Sequence, residues 1–322
     1  MNKKLLILAA MMMIVTGCGN TGTKTNNISV TQETEVKIEE TKKVVVEHTL
    51  GTTEVPKNPK NVVVLDFGAL DAMDALGLDV VGVPLSGTVP EYLSKYKDEN
   101  AYTNVGSVKE VDLEAIHALN PEMIIIGGRL ADYYEELSEI APTVLLSVDN
   151  SDYMNTFTQS MNYLGEIFDK QEEVNSKLEA LESQMIDIKE KAANKNTNAL
   201  IALANGDSFS VYGKGSRFGI IHNEFGIKPA DESIEVSTHG QNASFEYIVE
   251  TDPEYLFVVD RSAVTGGEGS ASELFDNALM KNTQAYKNNR IIYLNPTVWY
   301  AAGGGFTSTQ IMLDEISRAL EI

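Results

Sequence analysis

Residues 152–194 read DYMNTFTQSMNYLGEIFDKQEEVNSKLEALESQMIDIKEKAAN, and this stretch constrains how the rest of the chain is arranged. Apolar side chains recur along it every three or four residues, which is the spacing of a helix with one buried face. The segment has little Gly or Pro and no strand pattern, so it predicts one very long helix with room for one bend. Such a helix is too long to be a crossover inside one lobe. We therefore expect a rigid spine between two lobes, at residues 44–151 and 195–322.

Strand and helix patterns alternate in the N-terminal lobe. Residues 61–65 and 123–126 are continuous apolar runs, typical of parallel strands that are buried on both faces. Helical spacing appears at 66–76 and 112–119, and a hairpin is predicted at 44–56. The fold class is therefore predicted to be α/β, with two similar lobes of mostly parallel sheet joined by the long helix.

The two lobes carry a related segment. VDLEAIHALNPE followed by MIII, at residues 111–126, matches ASFEYIVETDPE followed by YLFVV, at residues 243–259. Glu114 aligns with Glu246, and an arginine follows each strand, Arg129 in the first copy and Arg261 in the second. The pairing predicts two similar lobes that face each other across a cleft. In α/β folds, ligands bind at the carboxyl ends of the strands.

The N-terminus has the features of a secretory segment. Basic residues at 3 and 4 precede an apolar run at 5–15, which is too short to span a bilayer as a helix. The run ends in VTGC, which resembles the bacterial lipobox, and Cys18 is the single cysteine of the chain. We expect a signal peptide at 1–17 and a flexible lipidated tether at 18–43, because the latter has almost no apolar side chains. With one cysteine, no disulfide can form within the chain.

The charge of the chain limits its partners. The 322 residues include 47 acidic and 25 basic side chains, for a formal net charge of −22, which argues against a nucleic-acid partner. Against this background, Arg129, Arg217 and Arg261 all stand in loops that follow apolar strands. Three guanidinium groups near one cleft would form a local positive region, and each offers a planar fork of donors. They predict an anionic, oxygen-rich ligand.

Two further side chains are candidates for metal contact. His239 stands in the polar loop VSTHGQNAS at 236–244, and Tyr300 stands in NPTVWYAAGGG at 295–305. An imidazole nitrogen and a phenolic oxygen both suit Fe(III), which prefers hard oxygen donors. Two protein ligands suffice for iron only if a chelator supplies four oxygens of its own. The alternative for Tyr300 is a packed aromatic beside Trp299.

These motifs together resemble the substrate-binding lipoproteins of bacterial ABC importers for iron–siderophores, in the ferric-catecholate, enterobactin-type subgroup. The resemblance covers essentially the whole mature chain and is most specific at Gly128-Arg129, Gly215–Gly219, Ser237–Gly240, Asp260-Arg261 and Val298–Tyr300.

The resemblance implies a role for each candidate residue. His239 and Tyr300 would complete the iron coordination of a tetradentate bis-catecholate, and Arg129, Arg217 and Arg261 would meet its oxygens. Glu114 and Glu246 would dock on the permease. The alternative for the two glutamates is a solvated helix start, where acids are favoured by the helix dipole.

The expected function is that of a receptor with no intrinsic cofactor. It would act as a monomer, capture a ferric siderophore and deliver it to an ABC permease driven by its ATPase. The lipid would hold it on the outer face of a single membrane or in a periplasm. The alternative cargoes are a hydroxamate siderophore, haem or cobalamin. A more remote alternative is a siderophore esterase that uses His239 with Ser237 or Ser244, although no Gly-x-Ser-x-Gly motif follows a suitable strand.

Overall fold

The computed structural model describes residues 42–322 and contains two main β-sheets with helices packed against them. The predicted signal peptide, Cys18 and the tether up to residue 41 lie outside the described residues. Across 42–322, no helix combines the length and the apolar character that a membrane crossing requires.

The strands and helices are numbered in chain order. The strands are β1 (Lys43–His48), β2 (Gly51–Pro56), β3 (Val62–Val64), β4 (Gly82–Val83), β5 (Thr103–Asn104), β6 (Met123–Ile126), β7 (Thr143–Leu145), β8 (Asn198–Asn205), β9 (Ser208–Tyr212), β10 (Lys228–Pro229), β11 (Gln241–Asn242), β12 (Tyr255–Asp260) and β13 (Ile291–Leu294). The α-helices are α1 (Phe67–Ala75), α2 (Leu113–Ala118), α3 (Tyr134–Ser138), α4 (Tyr153–Ile167), α5 (Gln171–Lys195), α6 (Ile220–Asn223), α7 (Phe245–Thr251), α8 (Ser262–Thr265), α9 (Ala271–Phe275), α10 (Gln284–Lys287), α11 (Pro296–Ala301) and α12 (Phe306–Leu320). Short 3₁₀ helices cover Glu91–Lys97, Gly128–Tyr133 and Met280–Asn282.

The first sheet is parallel, in the order β5-β4-β3-β6-β7. The second has the order β11-β9-β8-β12-β13, with β10 also paired to β8. In it, β8, β10, β12 and β13 are parallel, whereas β9 and β11 run antiparallel to their neighbours. The hairpin β1–β2 is antiparallel, as predicted. The observed architecture confirms the α/β fold class.

Alternate side chains of the central strands enter two different cores, which explains the continuous apolar runs. Val62 and Val64 of β3 join a large central core, whereas Val63 joins a smaller core on the other face of the first sheet. Phe257 of β12 joins the same central core, and Val258 joins a core on the far face of the second sheet. Parallel strands buried on both faces need no polar alternation. Both sheets therefore share one central core.

The segment 152–194, predicted as one long helix with room for one bend, is divided into two helices in the structure. Helix α4 ends at Ile167 and α5 begins at Gln171. Between them, Asp169 has φ of +54°, a left-handed conformation that Asp tolerates better than most residues. Lys57 and Asn58 hold its carboxylate at 2.5 and 2.7 Å, so a contact distant in sequence stabilises the break.

Helix α5 is nevertheless the long apolar-faced helix that the spacing predicted. Its buried residues recur every three or four positions: Val174, Leu178, Leu181, Met185, Ile188 and Ala192. It packs against α4 and α12. The tether prediction needs a smaller correction, since Lys43 already belongs to β1 and pairs with Pro56. The lobe boundaries at 151 and 195 remain a prediction.

Helices α1 and α12 join the first sheet to the second. The fully buried carboxylate of Asp71 on α1 accepts hydrogen bonds from the N–H groups of Thr307 and Ser308, in the first turn of α12, at 3.1 and 2.7 Å. An anion at a helix N-terminus is stabilised by the unpaired N–H groups and the helix dipole. The backbone of α1 at Gly68 also packs closely on the loop after α11, since a Cβ at Gly68 would collide with the carbonyl of Gly303. This contact fixes the loop that follows α11.

Candidate functional site

A cleft of about 460 Å³ opens between the two sheets, and the loops that follow their strands form much of its lining. The first sheet contributes Asp66 and Arg129, which follow β3 and β6. The second contributes Tyr300, which follows β13, and Arg217 and His239, which lie in loops between its strands. The cleft therefore lies where α/β folds place their ligands.

Helix α11, which carries Tyr300, is fixed at its start. Asn295 caps it by accepting a hydrogen bond from the Val298 N–H, and Pro296 occupies the first turn, where a missing N–H costs nothing. The carboxylate of Glu315 on α12 accepts two further bonds, from the Trp299 indole at 2.7 Å and from the Asn295 N–H at 2.9 Å. The short helix is thereby anchored on α12.

All three predicted arginines contact Tyr300. Arg129 and Arg217 each donate a hydrogen bond to its carbonyl oxygen, at 2.7 and 2.6 Å. Arg261 donates from Nε to its phenolic oxygen at 3.0 Å. The guanidinium carbons lie 5.0 Å (Arg129), 4.2 Å (Arg217) and 6.0 Å (Arg261) from the centre of the ring, within the range of a cation–π interaction. The three guanidinium groups that were predicted to lie near one cleft thus all contact Tyr300.

These positive charges change the ionisation of the site. Burial alone would raise the pKa of Tyr300, whose side chain is only 8% exposed. The hydrogen bond from Arg261 and the charges of Arg217, Arg261 and Arg129 outweigh burial, so the pKa of Tyr300 is lowered. Burial, and then repulsion from Arg129, lower the pKa of Arg217. The cleft consequently favours a phenolate or another anion.

His239 reaches the cleft from the loop between β10 and β11. Its side chain is exposed, and its backbone N–H donates to the Ser237 hydroxyl at 3.1 Å. The Ser237 N–H donates in turn to the buried Ser216 hydroxyl, near Arg217, at 3.1 Å. The next residue, Gly240, has φ of +74° and packs so closely on Tyr212 that a Cβ would lie 2.7 Å from its ring. The loop is thus fixed on both sides of an exposed imidazole.

Glu114 and Glu246 are exposed residues in the first turns of α2 and α7. Each helix leads back to the amino end of a strand, β6 or β12, so its first turn lies at the carboxyl side of its sheet, as the cleft loops do. Hydrogen bonds from its own N–H and from Ser244 lower the pKa of Glu246. The position of Glu114 and Glu246 does not test the docking role predicted for them, which remains a prediction.

Sequence reasoning missed several residues that line the cleft: Asp66, Asn150, Tyr153 and Met312. Asp66 stands two residues after the end of β3, and position after a strand was the signal that singled out Arg129 and Arg261. Tyr153 gave no such signal, because it belongs to α4 and reaches the cleft through tertiary packing. Its hydroxyl accepts a hydrogen bond from the Gly304 N–H at 3.0 Å. Within residues 42–322, no group of three or more His, Cys, Asp or Glu side chains is arranged to hold a metal ion.

Two α/β units with a ligand-sized cleft at their strand ends define a substrate-binding protein. The chain belongs to the family described as "Periplasmic binding protein", whose profile matches residues 62–298.

Individual relatives cover nearly the whole chain. The petrobactin-binding protein YclQ of Bacillus subtilis (strain 168) is 42% identical over 329 residues, covering 100% of both chains. Its crystal structure matches with a TM-score of 0.85 and 44% identity, over 87% of this chain and 99% of that chain. The ferric-anguibactin-binding protein FatB of Vibrio anguillarum is 31% identical over 100% of this chain and 98% of its own length.

A second solved structure is that of the periplasmic catecholate-siderophore binding protein VctP from Vibrio cholerae. It matches with a TM-score of 0.82 and 36% identity, over 86% of this chain and 100% of that chain. These similarities confirm the fold class and the resemblance to substrate-binding proteins of iron–siderophore importers that the sequence predicted.

Proposed function

We propose that this protein is the extracytoplasmic receptor for a ferric catecholate siderophore, which it delivers to an ABC permease. The observation that carries the proposal is the contact of three arginines with Tyr300, which lines the cleft together with Arg129, Arg217 and His239. The similarity to VctP and FatB, which are named for siderophores, supports the choice of cargo.

The arginines would neutralise the catecholate oxygens. A ferric bis-catecholate carries a net negative charge, whereas the whole chain has a formal charge of −22. Three guanidinium groups at one point offset that unfavourable field locally, and each presents a rigid fork of donors that suits paired oxygens. Charge-assisted hydrogen bonds of this kind are roughly twice as strong as neutral ones.

His239 and Tyr300 would fill the two iron positions that a tetradentate chelator leaves open. The arginines that lower the pKa of Tyr300 also reduce the cost of removing its proton, and the phenolate is the form that binds Fe(III). Because His239 is exposed on a loop, its imidazole can approach an iron centre held in the cleft. The iron belongs to the cargo, and the protein needs no cofactor of its own.

Delivery would use Glu114 and Glu246, one exposed glutamate on each of the two related segments. Basic residues of a permease would pair with them while the cleft faces the transport path. Cys18 would carry the lipid that holds the receptor, as a monomer, at the extracytoplasmic face of the membrane.

Ligand class is tested by titrating the purified protein with ferric bis-catecholate, ferrioxamine and haem. We expect tight binding of the catecholate, and a shift of its ligand-to-metal charge-transfer band as two protein ligands join the iron. Tighter binding of ferrioxamine or haem would assign the cleft to a hydroxamate or haem carrier and overturn the proposal. Cobalamin serves as a further competitor.

We infer a binding role for the site and no hydrolytic one. The His239 ring makes no hydrogen bond to a serine hydroxyl among residues 42–322, and Ser237 Oγ is occupied by the His239 backbone N–H. Incubation with enterobactin followed by chromatography checks this inference. We expect enterobactin to remain intact after prolonged incubation with the protein. Accumulation of its linear fragments would instead establish an esterase.

A further inference from the structure

Asp66 places a carboxylate in a cleft that is otherwise suited to anions. It follows β3 on the first sheet and lines the same cleft as Arg129, Arg217 and Tyr300. Among the residues that line the cleft, Asp66 is the acidic one. A carboxylate here opposes the binding of a negatively charged chelate, so its presence calls for a physical reason.

No ion pair compensates Asp66. Across residues 42–322, no Lys, Arg or His nitrogen lies within 4.0 Å of its carboxylate. Burial raises its pKa, and the N–H groups of Ala69 and Gly68 and the charge of Arg129 only partly offset that effect. Burial thus disfavours the charged carboxylate, and a positively charged group that entered the cleft would favour its ionisation and pair with it.

Capping of α1 does not explain the charge. Asp66 Oδ1 accepts the Ala69 N–H at 3.0 Å, which is an ordinary N-cap. Asparagine caps a helix about as well as aspartate, so the cap requires an oxygen and no net charge. The same role is filled by Asp112, whose Oδ1 accepts the Ala115 N–H at 2.9 Å at the exposed start of α2.

The neighbouring strand end leaves space for the second carboxylate oxygen of Asp66. A Cβ at Gly127 would collide with Asp66 Oδ2, so glycine at the end of β6 permits this position of the carboxylate. Gly127 immediately precedes Gly128 and Arg129, which line the cleft. The negative and positive groups of the first sheet therefore lie on adjacent strand ends.

We propose that Asp66 selects ferric chelates that carry a protonated amine in addition to their anionic catecholates. The amine would pair with Asp66 while the arginines meet the catecholate oxygens, so a ligand of matching charge pattern satisfies both. A chelate without the amine offers Asp66 no positive partner, so it lacks this favourable contact and binds more weakly. This inference rests on the proposed function of the cleft.

The test uses two synthetic ferric bis(catecholamide) complexes with linkers of equal length. One linker has a central CH₂ and the other a secondary amine, which is protonated at neutral pH. Both are titrated into the wild-type protein, Asp66→Asn and the matched control Asp112→Asn. Asp66→Asn keeps the cap and removes the charge, and thermal unfolding of both variants verifies that the fold is retained.

We expect the wild type and Asp112→Asn to prefer the amine complex. Asp66→Asn should bind that complex roughly ten- to a hundred-fold more weakly, the size of a hydrogen bond to a charged group, and should bind the CH₂ complex as well as the wild type or better. If Asp66→Asn changes the affinity for both complexes equally, the proposed role of Asp66 is wrong, whereas the proposed function of the cleft still stands. If neither complex binds the wild type, the proposed function itself fails.

Discussion

Replacing Arg217 by lysine tests whether the planar fork of this side chain matters beyond its charge. Arg217 donates to the Tyr300 carbonyl at 2.6 Å while its guanidinium lies 4.2 Å from the centre of the ring. Lysine keeps the positive charge, but it has no planar group that can lie over the ring and donate hydrogen bonds in fixed directions. In the proposed complex the Arg217 fork also donates to a catecholate oxygen. Loss of that charge-assisted hydrogen bond is worth about 1.5–3 kcal/mol, so the Kd for ferric bis-catecholate should rise roughly ten- to a hundred-fold.

Fluorescence quenching provides the assay, because the single tryptophan, Trp299, lines the cleft. Arg290→Lys is the matched control, since the Arg290 guanidinium also lies over a tyrosine ring, that of Tyr255 at 4.8 Å, and does not line the cleft. The control should bind the complex with wild-type affinity. If Arg217→Lys binds within two-fold of the wild type, positive charge alone is sufficient and the reasoning from fork geometry is refuted.

Three further predictions concern the same site. Arg261→Met removes the hydrogen bond that lowers the pKa of Tyr300, so the pKa should rise. The absorbance of the Tyr300 phenolate, isolated by subtracting the spectrum of Tyr300→Phe, should then appear at higher pH than in the wild type. Glu315→Gln retains one acceptor for two donors, which should destabilise the protein by about 1–3 kcal/mol in urea unfolding. Glu114→Lys combined with Glu246→Lys should leave siderophore binding within two-fold of the wild type and abolish iron uptake through the cognate permease; unchanged uptake would refute a docking role.

Strand identity was predictable because burial on both faces leaves a plain signal. The runs at 62–64, 123–126 and 255–259 each lie in strands whose alternate residues enter different cores. The two related segments were likewise predictable from local sequence, since in each a short helix leads into a buried strand: α2 into β6, and α7 into β12. These features depend on neighbours in the chain.

The break between α4 and α5 depends instead on distant residues. Apolar spacing continues on both sides of Asp169, and what fixes the left-handed turn is contact with Lys57 and Asn58, more than a hundred positions earlier. A single Asp in a helical pattern is a weak signal without that contact. Periodicity alone therefore predicted a long helix with room for a bend, but could not show that the chain leaves the helical conformation at Asp169.

The candidate site was predictable as a set of residues but not as a set of contacts. Position after strands pointed to Arg129 and Arg261, and loop composition pointed to His239. That Arg129 and Arg217 would bond to the Tyr300 carbonyl follows from tertiary geometry. Asp66 was overlooked because an acid at a helix start has an ordinary capping role, and only the shape of the cleft shows its second environment.

In the proposed complex, His239 and Tyr300 complete the coordination of iron held by a tetradentate catecholate. This coordination is tested most directly by titrating the His239→Ala, Tyr300→Phe double variant with a tetradentate ferric bis-catecholate and a hexadentate ferric tris-catecholate. We expect a large loss of affinity for the tetradentate complex alone, because the hexadentate chelator leaves no iron position open. Equal losses for the two complexes would contradict direct coordination.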